Sequence, residues 1–265
     1  MYDSRRTDVM TMPSSSAYAK VNGLEMYYEI HGADREDGRP LVLLHGGVLT
    51  VDLTFAGVLP ELAAHRRVVA PELQGHGHTA DIDRDISVAG LASDVVALLD
   101  ELGVRQADFL GFSLGGLTAL EIAVRYPERV GRLALAATMY TQEGVHEEVR
   151  VPDYSSPLLP SQADFQEMAD AYAAVAPHPE HFQEFLAKTS AAAQAPLPWT
   201  ADDLRGLRAP TLLVIGDSDF VRVEHAVEMQ SLIPGAQLAV LPATKHMTLM
   251  RRTSLLLPLL GEFFA

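Results

Sequence analysis

The chain has 265 residues, of which 48% are hydrophobic, 21% are charged and none is cysteine. This composition is that of an ordinary globular protein, and the lack of cysteine excludes disulfides, a catalytic thiolate and cysteine-bound metal clusters. The formal net charge of −15 disfavours binding to nucleic acid or to an anionic membrane, because both require clustered lysine and arginine.

The first sixteen residues, 1–16, contain no apolar run and therefore no secretory signal core, so we expect a loose N-terminal tail. No uncharged apolar stretch reaches the ~20 residues that a membrane span needs. The apolar run 255–260 is short and is interrupted by Pro258. These features predict a cytoplasmic protein.

Short apolar runs alternate with longer segments of helical periodicity. Asn22-Gly23 lies between the runs 17–21 and 26–30, which predicts an antiparallel hairpin. Further apolar runs predict buried strands at 41–44, 68–70, 108–111, 133–137, 211–215 and 238–241. Helices are predicted at 87–102, with Ser87 as N-cap, and at 114–126, 224–233 and 251–264. This alternation predicts an α/β fold, with a mostly parallel central sheet covered by helices on both faces.

The segment 140–204 interrupts the alternation. It is rich in proline and has no convincing strand, but it has a helical pattern at 161–175 and 180–193. An insertion of about sixty residues is too long for a simple loop. We therefore predict a small helical cap on a core formed by 17–139 and 205–265. The alternative is a structural elaboration with no role at the site.

The sharpest local motif is Gly111-Phe112-Ser113-Leu114-Gly115. A predicted strand ends at Gly111 and a predicted helix begins at Leu114, so Ser113 occupies a tight strand-to-helix turn. The glycines permit that turn, and the helix N-terminus favours developing negative charge. The pattern is typical of a nucleophilic serine, whereas a helix-capping serine with incidental glycines is the structural alternative.

A nucleophilic serine needs a base that removes its proton and a carboxylate that orients the base. His246 follows the last predicted strand, and Asp219 follows the strand 211–215. With Ser113, both lie at the carboxyl ends of parallel strands, where open α/β sheets place their sites. The sequence therefore predicts a triad of Ser113, His246 and Asp219, with a solvated loop histidine as the alternative for His246.

With these residues, the sequence resembles the α/β-hydrolase superfamily from about Tyr18 to Phe264. Two further features match, namely His45-Gly46-Gly47 after the first core strand and the segment 71–77 after the second. In that family the acid is the aspartate three residues after the glycine. The resemblance therefore implies Asp219 as the acid and leaves Asp217 as a solvated or turn-forming group.

The resemblance also implies where the oxyanion of the reaction would be held. In similar proteins the residue after His-Gly donates one backbone N–H, which here is Gly47, with Val48 as a second possibility. The other donor is the backbone N–H of Leu114. His45 is expected to brace this loop rather than react, and Phe112 and Val48 are expected to border the substrate.

Two residues depart from the family pattern. Glu72 replaces an aspartate that is frequent in the turn after the second core strand, so the usual hydrogen bonds of that turn are not implied here. Lys245 precedes the base where glycine is frequent, and we expect its side chain to point to solvent. His76 and His78 are two residues apart, but no further ligand at a suitable spacing supports a metal, so we expect ordinary loop positions.

The predicted reaction is acyl transfer from a small-molecule ester to Ser113, followed by hydrolysis, with no cofactor or metal. Serine at the turn argues against haloalkane dehalogenases and epoxide hydrolases, which attack with aspartate. A carboxylesterase is the first interpretation. A perhydrolase or haloperoxidase-like enzyme, or a hydrolase of carbon–carbon bonds next to a ketone, would share the triad. A small-ligand receptor of the same fold is the alternative from another class. The particular substrate and the oligomeric state are not predicted.

Overall fold

An eight-stranded sheet organises this computed structural model, which describes residues 15–33, 38–150 and 156–265. The strands are β1 (Ser15–Val21), β2 (Leu24–His31), β3 (Leu41–Leu44), β4 (Val68–Pro71), β5 (Ala107–Phe112), β6 (Val130–Ala136), β7 (Thr211–Gly216) and β8 (Gln237–Leu241). Their order across the sheet is β1-β2-β4-β3-β5-β6-β7-β8. β1 and β2 are antiparallel, as are β2 and β4, and every pair from β4 to β8 is parallel. The predicted α/β fold with an antiparallel edge is confirmed.

The tail prediction requires one correction. Ser15 and Ser16 pair with Ile30 and Glu29 in the edge hairpin, so they belong to β1 rather than to a loose tail. The strand begins two residues earlier than predicted because backbone hydrogen bonding, not apolar content, holds these exposed serines. The remainder of the predicted tail, 1–14, lies outside the described residues.

The described residues form ten α-helices. They are α1 (Val51–Phe55), α2 (Leu59–His65), α3 (Val88–Glu101), α4 (Leu114–Arg125), α5 (Glu147–Arg150), α6 (Gln162–Val175), α7 (Phe182–Gln194), α8 (Ala201–Arg205), α9 (Val223–Leu232) and α10 (Thr253–Phe264). Ser87 caps α3 as predicted, because its side chain accepts the Gly90 N–H. Among the described residues, no helix is both long and apolar enough to cross a membrane.

The core lies on both faces of the sheet. All four residues of β3 are buried, and they alternate between two apolar clusters: Val42 and Leu44 belong to one, Leu41 and Leu43 to the other. Because strand side chains point alternately to opposite faces, a strand that is buried throughout must be covered on both sides. The central strands are thereby held rigidly, and their carboxyl ends form a fixed edge for the loops that follow them.

Helix α7 of the segment 140–204 lies against the loop that follows β4. Phe185 is buried to 1% exposure, and its ring meets the His76 ring edge-on at 4.7 Å. Lys188 Nζ donates to Asp81 Oδ2 and to the Ile82 carbonyl oxygen, both at 2.7 Å. One apolar anchor and one ion pair therefore fix α7 over the carboxyl edge of the sheet.

Candidate active site

Ser113 occupies a strained turn between β5 and α4. Its φ of 54° and ψ of −117° lie in a sparsely populated region for a residue with a side chain. A Cβ atom on Gly111 would collide with the Gly115 carbonyl, and one on Gly115 would collide with the Leu44 carbonyl. Glycine at both positions therefore has a steric reason: it lets α4 begin directly against the strand ends and holds the Ser113 hydroxyl above them.

The structure brings the three predicted side chains into one hydrogen-bonded chain. His246 Nε2 lies 3.0 Å from Ser113 Oγ, and His246 Nδ1 lies 2.8 Å from Asp219 Oδ1. His246 and Asp219 are buried, at 4% and 2% exposure. Because an ionised carboxylate only accepts hydrogen bonds, Nδ1 carries the proton of neutral His246 and leaves the Nε2 lone pair toward the serine. This arrangement can remove a proton from the hydroxyl.

The two aspartates of the Gly216–Asp219 turn have different environments. Asp219 Oδ1 accepts the Val221 N–H at 2.9 Å in addition to the imidazole. Asp217 is exposed and accepts the N–H groups of Ala243 and Thr244 at 2.9 and 3.1 Å. These two backbone hydrogen bonds lower the pKa of Asp217. Asp217 therefore stabilises the turn before His246, and Asp219 contacts the imidazole.

The loop after β3 faces the start of α4. A Cβ atom built on Gly47 would lie 3.7 Å from Leu114 Cδ2, so the two predicted oxyanion donors are neighbours. Leu114 is the first residue of α4, and its N–H therefore has no acceptor within the helix. Val48 has a φ of 61°, which lies in the left-handed region, so the backbone turns sharply directly after Gly47. These backbone positions can hold a negatively charged oxygen beside Ser113.

His45 braces this loop from below. Its Nε2 accepts the Leu73 N–H at 3.0 Å, and its Nδ1 donates to the Gly46 carbonyl at 2.9 Å. Complete burial lowers the pKa of His45 to about 3, so the ring is neutral. Both ring nitrogens are thus used in joining the loop after β3 to the loop after β4.

Glu72 makes a hydrogen-bond set that the sequence did not imply. Its Oε1 accepts the Val51 N–H at 3.2 Å, and its Oε2 accepts the His78 N–H at 2.6 Å and contacts His78 Nδ1 at 2.8 Å. The hydrogen bond to Glu72 raises the pKa of His78. His76 Nδ1 donates to the Gln74 carbonyl at 2.9 Å. The longer side chain thus joins the loops after β3 and β4.

Metal ligation finds no support in the described residues, 15–33, 38–150 and 156–265, where no three groups of the metal-binding types converge. Lys245, the residue before the base, has an exposed side chain, and its Nζ donates to the Pro157 carbonyl oxygen at 3.1 Å.

A cavity of about 310 Å³ opens over Ser113 and His246. The core side of its wall includes Val48, Phe112 and Leu117, and the cap side includes Met168, Thr189 and Ala192. Apart from His246, the described lining residues are apolar or carry only a hydroxyl. Such a wall binds apolar groups and offers no lysine or arginine to a negatively charged one.

Phe220 is a pocket residue that sequence reasoning missed. It directly follows Asp219, and its ring stacks on the His246 imidazole with 3.8 Å between centroids. Its position next to the acid was visible in the sequence, but the stacking depends on how two distant loops meet.

Comparisons with known proteins agree with this fold. A family model described as the alpha/beta hydrolase fold matches residues 39–190. The chain is 29% identical to 2-hydroxymuconate semialdehyde hydrolase of Pseudomonas sp. (strain CF600) over 258 residues, which is 88% of this chain and 89% of that relative. A meta-cleavage product hydrolase from Pseudomonas fluorescens IP01 has a similar structure, with a TM-score of 0.73 and 23% identity over 95% of this chain and 97% of that one.

A second solved structure is that of Est816, an N-acyl homoserine lactone degrading enzyme. Its TM-score is 0.71, and it is 25% identical over 94% of this chain and all of its own (100%). This chain is a hydrolase by its fold and by its family match. The chain belongs to the alpha/beta hydrolase fold family.

Proposed function

We propose that this protein hydrolyses uncharged carboxylic esters through an acyl-enzyme on Ser113. The observation that carries the proposal is the Ser113–His246–Asp219 hydrogen-bonded chain at the base of a cavity with no charged described lining residue. A membership in a hydrolase family supports the reaction type. The composition of the wall supports the substrate class.

In the first half of the reaction, His246 Nε2 takes the hydroxyl proton as Ser113 Oγ attacks the ester carbonyl. The backbone N–H groups of Gly47 and Leu114 stabilise the oxyanion, at about 3 kcal/mol for each donor. His246 then gives its proton to the alcohol oxygen, and the alcohol leaves. Asp219 stays ionised and stabilises the imidazolium while it exists.

In the second half, water takes the place of the alcohol. His246 accepts a proton from the water as its oxygen attacks the acyl carbon, and the tetrahedral intermediate forms on the same N–H groups. Collapse returns the proton to Ser113 and releases the carboxylic acid. Neither half of this proposed reaction requires a cofactor or a metal.

Hydrolysis of a carbon–carbon bond next to a ketone is the second candidate. It is favoured by the likeness to 2-hydroxymuconate semialdehyde hydrolase over most of both chains. The name of that relative's substrate denotes a carboxylate, however. A buried carboxylate is costly unless it is paired or well hydrogen-bonded, and the described pocket lining offers no lysine or arginine. Because the described pocket wall carries no positive charge, we rank this candidate second.

A matched pair of esters tests the proposal. The p-nitrophenyl ester of hexanoic acid and the mono-p-nitrophenyl ester of glutaric acid share a leaving group, and their acyl chains have nearly equal length. They differ in ending on a methyl or a carboxylate. We expect kcat/KM for the hexanoate to be higher by about 100-fold or more, because an unpaired carboxylate in an apolar site costs roughly 3 kcal/mol.

The control is Ser113→Ala, which should lose all turnover above the rate of solution hydrolysis. Equal kcat/KM for both esters would refute the uncharged substrate class. Wild-type activity no higher than that of Ser113→Ala would refute ester hydrolysis itself. Faster turnover of 2-hydroxy-6-oxo-2,4-heptadienoate than of the hexanoate ester would establish the second candidate instead.

A further inference from the structure

The imidazole of His246 has two aromatic neighbours in the pocket wall. The Phe220 ring stacks on it with 3.8 Å between centroids and 25° between planes. The Phe112 ring is more distant and more tilted, at 4.9 Å and 38°. Phe220 therefore makes the closer and more parallel contact, and it covers part of a ring face that hydrogen bonds do not control.

The position of Phe220 is fixed on both sides by backbone contacts. Asp219 Oδ1 accepts the Val221 N–H at 2.9 Å, and this bond closes the turn around Phe220. The Phe220 carbonyl accepts the His146 N–H at 3.0 Å, and Val221 bridges to Val145 on the neighbouring segment. One short segment thus supplies both the carboxylate at the imidazole edge and the phenyl ring on its face.

This pair of contacts bears on the protonation step. A hydrogen bond to Nδ1 leaves the imidazole free to tilt about that bond, and a ring packed on its face opposes the tilt. When the imidazole takes the serine proton it becomes a cation, and the face of a phenyl ring attracts a cation at this distance. An attraction that exists only after proton transfer lowers the barrier rather than strengthening substrate binding.

We propose that Phe220 is a positioning residue that acts through His246, holding the imidazole in line with Ser113 and stabilising its protonated form. The inference rests on the proposed function of Ser113 and His246. Phe220 also lines the cavity, so its test must separate an effect on the base from an effect on the bound acyl group.

The experiment measures the reaction of Ser113 with the neutral phosphotriester diethyl p-nitrophenyl phosphate, whatever ester the enzyme prefers. In this step the Ser113 Oγ–P bond forms, the bond from phosphorus to p-nitrophenolate breaks, and the serine proton passes to His246 Nε2. The variants are Phe220→Leu and Phe220→Met, which remove the aromatic face, and Phe220→Tyr, which keeps it. Thermal unfolding of each variant checks that the fold is retained.

We expect Phe220→Leu and Phe220→Met to slow this reaction by roughly threefold to tenfold. Phe220→Tyr should stay within about twofold of the wild-type rate. With p-nitrophenyl acetate and hexanoate, the two aliphatic variants should lower kcat by a similar factor for both esters and leave KM nearly unchanged. Met168→Ala, which alters the same wall from α6, should instead act mainly on KM for the longer ester.

Three results would overturn the inference: aliphatic variants that react at the wild-type rate, a tyrosine variant as slow as leucine, or a loss confined to KM that grows with acyl length. A failure of the proposed function gives a different pattern. In that pattern, the wild-type protein hydrolyses no ester, but its Ser113 is still phosphorylated and Phe220→Leu slows that phosphorylation. That result would refute the proposed ester hydrolysis and support the role of Phe220.

Discussion

Two buried aspartates lie at opposite ends of the sheet and have opposite surroundings. Asp108, near the start of β5, accepts hydrogen bonds from Arg39 Nε at 3.1 Å, Arg66 Nη2 at 2.6 Å and the Arg132 N–H at 2.9 Å. Asp219, after the end of β7, accepts from an imidazole and one backbone N–H. Its second oxygen, Oδ2, is buried and has no hydrogen-bond partner in the part of the chain that the structure describes.

The difference separates an aspartate that stabilises the fold from one that supports chemistry. Arginine keeps its proton at all ordinary pH values, so the side-chain partners of Asp108 do not exchange protons, and we expect this cluster to contribute to stability. The partner of Asp219 can gain and lose a proton. Asp219 therefore interacts most strongly with a state that exists only during the reaction, and the unpaired oxygen costs stability in the resting protein.

The largest effect in this comparison is expected from Asp219→Asn. Asparagine keeps the shape of the side chain but can donate to Nδ1, which favours the wrong tautomer of His246. We expect kcat for the hexanoate ester to fall by about 10⁴-fold. The free energy of unfolding should change by no more than about 1 kcal/mol. Steady-state kinetics and urea denaturation of the same preparation measure both quantities.

Asp108→Asn should have the reverse effect. Removing one charge from a buried ion pair leaves the arginines without their anion and typically costs about 3 kcal/mol or more. We expect that loss in the free energy of unfolding, while kcat below the transition stays within about twofold of wild type.

The two substitutions together form the test of the comparison, since each is the control for the other. A catalytic loss of similar size in both variants would mean that the ends of the sheet are coupled. Unchanged kcat in Asp219→Asn would remove Asp219 from the mechanism.

A smaller effect concerns acid, and it belongs to the end of the sheet that carries the triad. Burial lowers the pKa of His45 to about 3 and of His76 to about 4. Both groups are near their ordinary pKa of about 6.5 when the chain unfolds, so the unfolded state binds more protons between these values. The contribution of each buried neutral ring to the free energy of unfolding is therefore fully present above pH 6.5. It decreases as the pH falls toward the folded pKa of that ring, and the loss at pH 5 is about 2 kcal/mol for each ring.

Urea denaturation at pH 7.5 and pH 5 measures this dependence, with His76→Gln as the comparison. The substitution removes one titrating group, so its free energy of unfolding should decrease less between the two pH values, by about 2 kcal/mol. Equal decreases in both proteins would show that His76 does not stay neutral in the fold.

Most of the sheet could be predicted because its strands are short apolar runs with clear ends. The triad side chains could be placed at one edge because the carboxyl ends of parallel strands lie together. The turn at Ser113 could be predicted because Gly111 and Gly115 are where a side chain would collide with the backbone. The start of β6 was predicted at Leu133, three residues late. Ala107 pairs with Val130 and Phe109 with Leu133, so the register between β5 and β6 shifts at this point. No local sequence pattern predicts such an irregularity.

Other features depend on contacts between distant segments, which a single sequence does not carry. The helices α1 and α2 are short, five and seven residues, and showed too few turns for a periodic signal. Glu72 was visible as a departure, but its bond to the Val51 N–H joins two loops that only the folded chain brings together. The same holds for Phe220 on His246 and for Phe185 of α7 against His76.

The most direct measurement of the central claim is the site at which a phosphorylating inhibitor attaches. The protein is treated with diethyl p-nitrophenyl phosphate, the released p-nitrophenolate is counted, and the labelled peptide is located by mass spectrometry. We expect one label for each chain, on Ser113, with loss of ester hydrolysis in proportion to labelling and no label in Ser113→Ala. A label on another residue, or ester hydrolysis that persists in Ser113→Ala, would contradict the account.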